Sequence, residues 1–165
     1  MSAQLTTTSN AVAHSSGYWE VLRLIGVFRR VMEPYFARFG ISQAQWGVLR
    51  ILHCAEASGE PLMKLADLGG RLLIRPSSVT NMVEKMRVAG LISREASPVD
   101  QRAKSVRLTE AGRQLVDRVL LCHAKQIDAV MSGLNPQEQA LFRDLLHKLN
   151  THLEGQAPAD WPAEE

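Results

Sequence analysis

Residues 97–112 read SPVDQRAKSVRLTEAG, a polar loop that passes directly into alternation. Val106 and Leu108 stand two apart with Ser105 and Arg107 around them, which is the period of a strand with one buried face. On the near side of the loop, Leu91 to Ala96 (LISREA) supplies a partner strand. Two strands joined through Ser97 to Ala103 make a hairpin. Asp100, Arg102 and Lys104 give its tip a mostly cationic character. A cationic tip on a stiff ribbon predicts an anionic surface to touch.

The charge map points the same way. The chain of 165 residues carries a formal net charge of +2, which looks neutral until it is divided. Residues 71–118 hold ten lysines and arginines against five acids, whereas residues 119–165 hold three against seven. Positive charge gathered around the hairpin is the footprint of a polyanion-binding surface. The length suits one domain with its own core. No apolar run approaches a membrane span, and MSAQLTTTSNAVAHSSG at the start has neither the basic nor the apolar block of a signal peptide. Cys54 and Cys122 lie among apolar neighbours, which fits packing roles in a reducing, cytoplasmic compartment and no disulfide framework.

Helical patterns fill most of the remainder. Residues 18–39 are rich in helix formers, apolar at Val21, Leu22, Ile25, Phe28 and Met32, with Pro34 expected to kink or divide the helix. Ser42 is a good N-cap for a second helix to about Ala57. A third is expected from Pro61 to about Leu72, with Leu62, Leu65, Ala66, Gly69 and Leu72 on one stripe. After a tight connection at Leu73 to Arg75, Pro76 opens a fourth that ends at Ala89-Gly90. Thr109 caps a long helix to about Ser132. Asn135-Pro136 starts the last, in which Leu141, Leu145, Leu149 and Leu153 step by four.

The fourth helix, within RPSSVTNMVEKMRVAG (residues 75–90), carries the functional signal. Val79, Met82, Val83 and Met86 share a core face. The opposite face holds Ser77, Thr80, Asn81 and Glu84, with Lys85 on its edge and Ser78 in the same first turn. Small hydroxyls and an amide let a backbone approach base edges while offering donors and acceptors, as major-groove reading requires. A capped surface helix would use the same residue types.

Helix, tight turn, helix, strand, cationic loop, strand is the order of a winged helix-turn-helix. GISQAQWGVLRIL, LADLGGRLLIRPSSVTNMVEKMRVAGLI and VDQRAKSVRLTEAG, followed by two closing helices, resemble the MarR family of bacterial transcription regulators over residues 18–154. The resemblance implies a mainly α fold (α+β) with a two-stranded wing. It implies a DNA-binding lobe at about residues 42–108 and a dimerisation lobe built from helices at about 18–39 and 109–154. Residues 1–17 are then a disordered arm and 155–165 a flexible tail. The expected partners are a second copy of the chain and a pseudo-palindromic DNA duplex, with the fourth helix in the major groove and the wing in the minor groove. The expected activity is transcriptional repression.

Within the wing, the Arg102 guanidinium suits a narrow, electronegative minor groove. Asp100 is placed to orient that arginine, since a carboxylate facing phosphates would be repelled. Arg75 and Lys104 are candidates for phosphates, which fix register without reading sequence. Two positions depart from the family pattern: Gln101 stands where many members carry a second arginine, and Leu73 fills a turn position often held by glycine.

A small-molecule site is also suggested. Trp46, Arg50 and His53 lie at i, i+4 and i+7, and Trp19 and Arg23 repeat the first spacing. An aromatic surface beside a guanidinium suits an aromatic carboxylate, and MarR relatives commonly respond to such acids. Two other classes compete. A winged helix can serve as a protein-interaction module, which the basic segment disfavours. An enzyme would need a catalytic or metal motif, and none of CxxC, HExxH, GxSxG or a phosphate-binding glycine loop occurs. No cofactor or metal is expected.

Overall fold

The structure, a computed structural model, describes residues 17–60, 62–96 and 104–156. The expected disordered arm (up to residue 16), Pro61, the wing tip with Asp100, Gln101 and Arg102, and the tail from residue 157 lie outside them. In chain order the elements are α1 (Gly17–Ala37), α2 (Gln43–Ala57), β1 (Met63–Lys64), α3 (Leu65–Leu72), α4 (Pro76–Val88), β2 (Ile92–Ala96), β3 (Lys104–Leu108), α5 (Glu110–Met131) and α6 (Pro136–Glu154).

Local chemistry fixes the helix starts. The Ser42 hydroxyl accepts from Gln45 N at 3.2 Å, and Gln45 Oε1 accepts from Ser42 N at 2.8 Å. This reciprocal box satisfies two amide donors that α2 would otherwise leave unpaired. Asn135 and Glu138 repeat it at α6, at 3.0 and 2.8 Å.

The chain divides into two compact units, Met1–Leu121 and Cys122–Glu165. In the first, α2, α3 and α4 pack on a three-stranded antiparallel sheet in the order β1-β3-β2. Its register pairs Ile92 with Leu108, Arg94 with Val106, and Met63 with Val106. Val48, Leu49, Leu68, Val79, Val83, Met86, Ile92, Val106 and Leu108 form its core. Tyr35 and Phe36 of α1 are buried too, and the Tyr35 hydroxyl donates to the Val119 carbonyl of α5 at 3.1 Å.

Three expectations change. Of the kink or division expected at Pro34, the division does not occur: α1 runs unbroken to Ala37. Proline removes one bond there, to the Arg30 carbonyl, and burial of Met32, Tyr35 and Phe36 holds the last turn. The third helix starts at Leu65 instead of Pro61, because Met63 is buried and pairs with Val106 as a sheet edge. The wing ribbon therefore gains a third strand. In α3 the buried residues are Leu68 and Gly69, whereas Ala66 is exposed, as is Leu62 ahead of β1. Gly69 is set so that a Cβ would meet Val79 Cγ2 at 3.2 Å, which lets α3 and α4 cross closely. Leu73 follows in the left-handed conformation (φ 54°, ψ 40°), where an L residue is strained.

In the second unit Gln139 Nε2 donates to the carbonyls of Met131 and Leu134 at 3.2 and 2.9 Å, closing the turn before α6. No residue of α6 is fully buried, and Leu141, Leu145, Leu149 and Leu153 stand exposed. Tyr18, Leu22, Leu24, Ile25, Val27 and Val31 of α1 do the same.

Candidate nucleic-acid interface

Helix α4 presents two unlike faces. Val79, Val83 and Met86 are buried, while Ser77, Ser78, Thr80, Asn81 and Lys85 are exposed. The amino end begins with Pro76, and no side chain caps it. The Thr80 hydroxyl donates back to the Pro76 carbonyl at 3.1 Å. That bond uses its only hydrogen, so outward it offers lone pairs and a methyl group. Asn81 offers both a donor and an acceptor, the pair that matches the edge of an adenine. Arg75, the N-cap residue, is also exposed.

Glu84 belongs to the same face in sequence but turns away from it. Its carboxylate accepts three contacts from Arg87, at 2.7, 3.1 and 3.2 Å, and lies 3.4 Å from Arg94 Nη1 on β2. The Arg87 hydrogen bonds, ahead of the charge of Arg94, hold the Glu84 carboxyl below its ordinary range. Its negative charge is thereby neutralised locally.

The wing ribbon pairs β2 with β3 over all five residues of each strand. Lys104 opens β3 opposite Ala96. A cross-strand pair of Glu95 and Arg107 at 2.7 Å braces the ribbon. Asp100 and Arg102 lie outside the described residues. The ribbon root is stitched to α5: Thr109 N donates to the Leu91 carbonyl at 3.1 Å and Thr109 Oγ1 to the Gly90 carbonyl at 2.6 Å. That oxygen also accepts from Gly112 N at 3.1 Å, capping α5. A Cβ on Gly112 would overlap the Leu91 carbonyl oxygen. The spacing of threonine and glycine in LTEAG thus has a steric origin that the sequence pattern alone did not reveal.

The candidate ligand residues are not gathered as one open stripe. Trp46 is 7% exposed and stacks on Phe36, with ring centroids 5.8 Å apart and planes at 27°. Its ring is core, which corrects the reading of a free stacking surface there. Arg50 Nη1 donates to Cys54 Sγ at 2.8 Å. His53 is half-buried on the same helix, near Glu56, which Arg113 of α5 grips at 2.6 and 2.9 Å. Trp19 meets Tyr18 edge-on at 5.4 Å, and Arg23 is exposed. Among the described residues no cluster of histidine, cysteine or acids could hold a metal ion, and no helix is long and apolar enough to cross a membrane.

Comparison with known proteins agrees with this geometry. The family model described as the MarR family matches residues 41–104. An HTH-type transcriptional regulator of Bacillus subtilis, YkoM, is 32% identical over 113 residues, covering 68% of this chain and 70% of its own. A mutant MarR from Escherichia coli complexed with operator DNA superposes with a TM-score of 0.68 at 22% identity, over 82% of this chain and 99% of that one. BpsR of Bordetella bronchiseptica, whose DNA binding is regulated by 6-hydroxynicotinic acid, superposes with a TM-score of 0.73 at 22% identity, over 83% and 94%.

Proposed function

The chain belongs to the MarR family of transcription regulators, and on that premise we propose that it acts in the cytoplasm as a homodimeric repressor of a pseudo-palindromic operator. The observation that carries this is the two-faced α4: buried Val79, Val83 and Met86 behind exposed Ser77, Ser78, Thr80 and Asn81. Ser77, Ser78, Thr80 and Asn81 read base edges in the major groove, and Arg75, Lys85 and Lys104 contact phosphates. Arg102, oriented by Asp100, enters the minor groove. The exposed apolar faces of α1 and α6 pack on the second copy, since exposed apolar faces of this kind mark interaction surfaces. Two copies related by two-fold symmetry then address half-sites about one helical turn, roughly 10 base pairs, apart.

A small anionic aromatic compound releases the DNA. Trp19, Arg23, Arg50 and His53 supply its contacts, with buried Trp46 as the floor, and its carboxylate displaces the weak thiol partner of Arg50. Release requires the ligand to favour the DNA-free arrangement, a coupling of about 1–3 kcal/mol. BpsR offers support from a structural neighbour, as its regulation by 6-hydroxynicotinic acid is of this chemical kind.

The deciding experiment is operator binding by Asn81→Ala and Arg102→Ala across sequence variants and salt. Asn81→Ala relaxes base preference by roughly 1–3 kcal/mol, and Arg102→Ala lowers the log–log salt slope by about 1. Unchanged sequence preference with Asn81→Ala would remove α4 from the groove. Absence of any salt-dependent DNA binding would favour a protein-interaction module instead.

A further inference from the structure

Arg94 occupies a position that strand alternation reserves for an apolar side chain. In β2 it shares a face with Ile92, which is 2% exposed, and it pairs across the ribbon with Val106, which is fully buried. Its side chain is only 25% exposed. Its Nε and Nη2 are shielded from solvent and have no hydrogen-bond partner among the described residues. Among the described residues the one anion it meets is Glu84 of α4, through Nη1 at 3.4 Å. A charge so placed is poor for stability, because desolvation offsets most of the attraction and an apolar residue of similar volume often serves as well or better. The arrangement therefore calls for a role other than stability.

The location suggests that role. Glu84 lies one turn beyond Thr80 and Asn81 on α4, and Arg94 lies two residues before the last residue of β2, from which the wing loop departs. On the helix side, Arg87 orients the Glu84 carboxylate through both of its oxygens. On the ribbon side, pairing with β3 fixes the Arg94 backbone. We propose that Glu84 and Arg94 are a positioning pair that fixes the wing at its root to the recognition helix, so that helix and wing engage DNA as one unit. Neither residue touches DNA: the Glu84 carboxylate is neutralised by two guanidiniums, and Arg94 is turned inward. The proposal rests on the reading of α4 and the wing as the DNA-binding surface.

The test uses the full-length protein with Arg94→Met, Glu84→Gln and Arg102→Ala, alone and combined. Four quantities are measured: thermal unfolding, operator affinity, the salt slope, and hydrogen exchange of the amides in residues 92–96 and 104–108. Arg94→Met is expected to unfold at the parent temperature or above it. It should nevertheless bind the operator about tenfold more weakly, equivalent to about 1.4 kcal/mol, and exchange its ribbon amides faster. Arg102→Ala should weaken the parent severalfold but add little to Arg94→Met, because an unpositioned wing no longer places its tip. Glu84→Gln should reproduce the faster ribbon exchange and the loss of coupling, so the result does not depend on one variant folding well. Parent-like affinity and ribbon exchange in both variants overturn the proposal, as does a loss from Arg102→Ala that is equal in every background. If Arg102→Ala is silent in the parent, the minor-groove contact fails as a reading, while ribbon exchange and affinity of Arg94→Met and Glu84→Gln still decide the positioning role.

Discussion

Gly112→Ala offers a severe test of the packing at the wing root. Gly112 is buried in the first turn of α5, and an added Cβ would overlap the Leu91 carbonyl oxygen and crowd its carbon at 3.1 Å. A Cβ has no rotamer through which to escape, so α5 must shift away from the segment that follows α4. Overpacking of this kind costs about 1–3 kcal/mol. The shift also strains two bonds, Thr109 N to the Leu91 carbonyl at 3.1 Å and Thr109 Oγ1 to the Gly90 carbonyl at 2.6 Å, each worth about 0.5–1.5 kcal/mol. Against this, alanine is better than glycine in a helix by roughly 0.5–1 kcal/mol. The net loss is about 3 kcal/mol, a fall of roughly 6–12 °C in Tm for a chain of this size. Differential scanning calorimetry at fixed protomer concentration reads it directly, since assembly makes Tm concentration-dependent. An unchanged or higher Tm, the outcome helix propensity alone would give, would refute the steric account of LTEAG.

Leu73→Gly should raise Tm by about 2 °C: relief of the left-handed strain, about 1–2 kcal/mol, is partly offset by a freer unfolded chain, and the side chain, 90% exposed, forfeits little burial. Glu56 carries a pH signature, because hydrogen bonding to Arg113 holds its carboxyl below the ordinary value of 4.5. A depressed folded value contributes stability that is complete above the unfolded value and lost as pH falls through the folded one. Urea titrations should therefore show Glu56→Gln less stable than the parent at pH 7 and the gap closing as pH falls through the depressed folded value of Glu56; a constant gap would contradict the pairing. Leu145→Glu with Leu149→Glu should give a monomer by analytical ultracentrifugation and abolish tight binding to a full operator, whereas a persistent dimer would move the interface elsewhere.

Much of this was legible in the sequence because short-range chemistry writes it there. Ser42, Asn135 and Pro76 announce their helices through capping needs, and the spacing of Val79, Val83 and Met86 separates the core face of α4 from its polar face. Features that depend on distant partners were hidden. Met63 is a strand residue only because Val106 lies beside it, and Pro34 is tolerated because Tyr35 and Phe36 are anchored by packing. Trp46 looked like a candidate ring platform in one dimension, but Phe36 covers it in three. Arg94 did leave a trace: period-two alternation from Ile92 places a charge on the buried face, and its partner Glu84 sits ten residues away on another element.

Hydroxyl-radical footprinting of the full-length protein on a duplex selected from genomic fragments tests the central claim most directly. If α4 and the wing read DNA as a two-fold pair, one sequence shows protected sugars flanking two major-groove segments about one turn, roughly 10 base pairs, apart. Flanking minor-groove protection should vanish with Arg102→Ala, and the preferred bases should change with Asn81→Ala. Uniform protection of any duplex, or a preferred site indifferent to both substitutions, contradicts it.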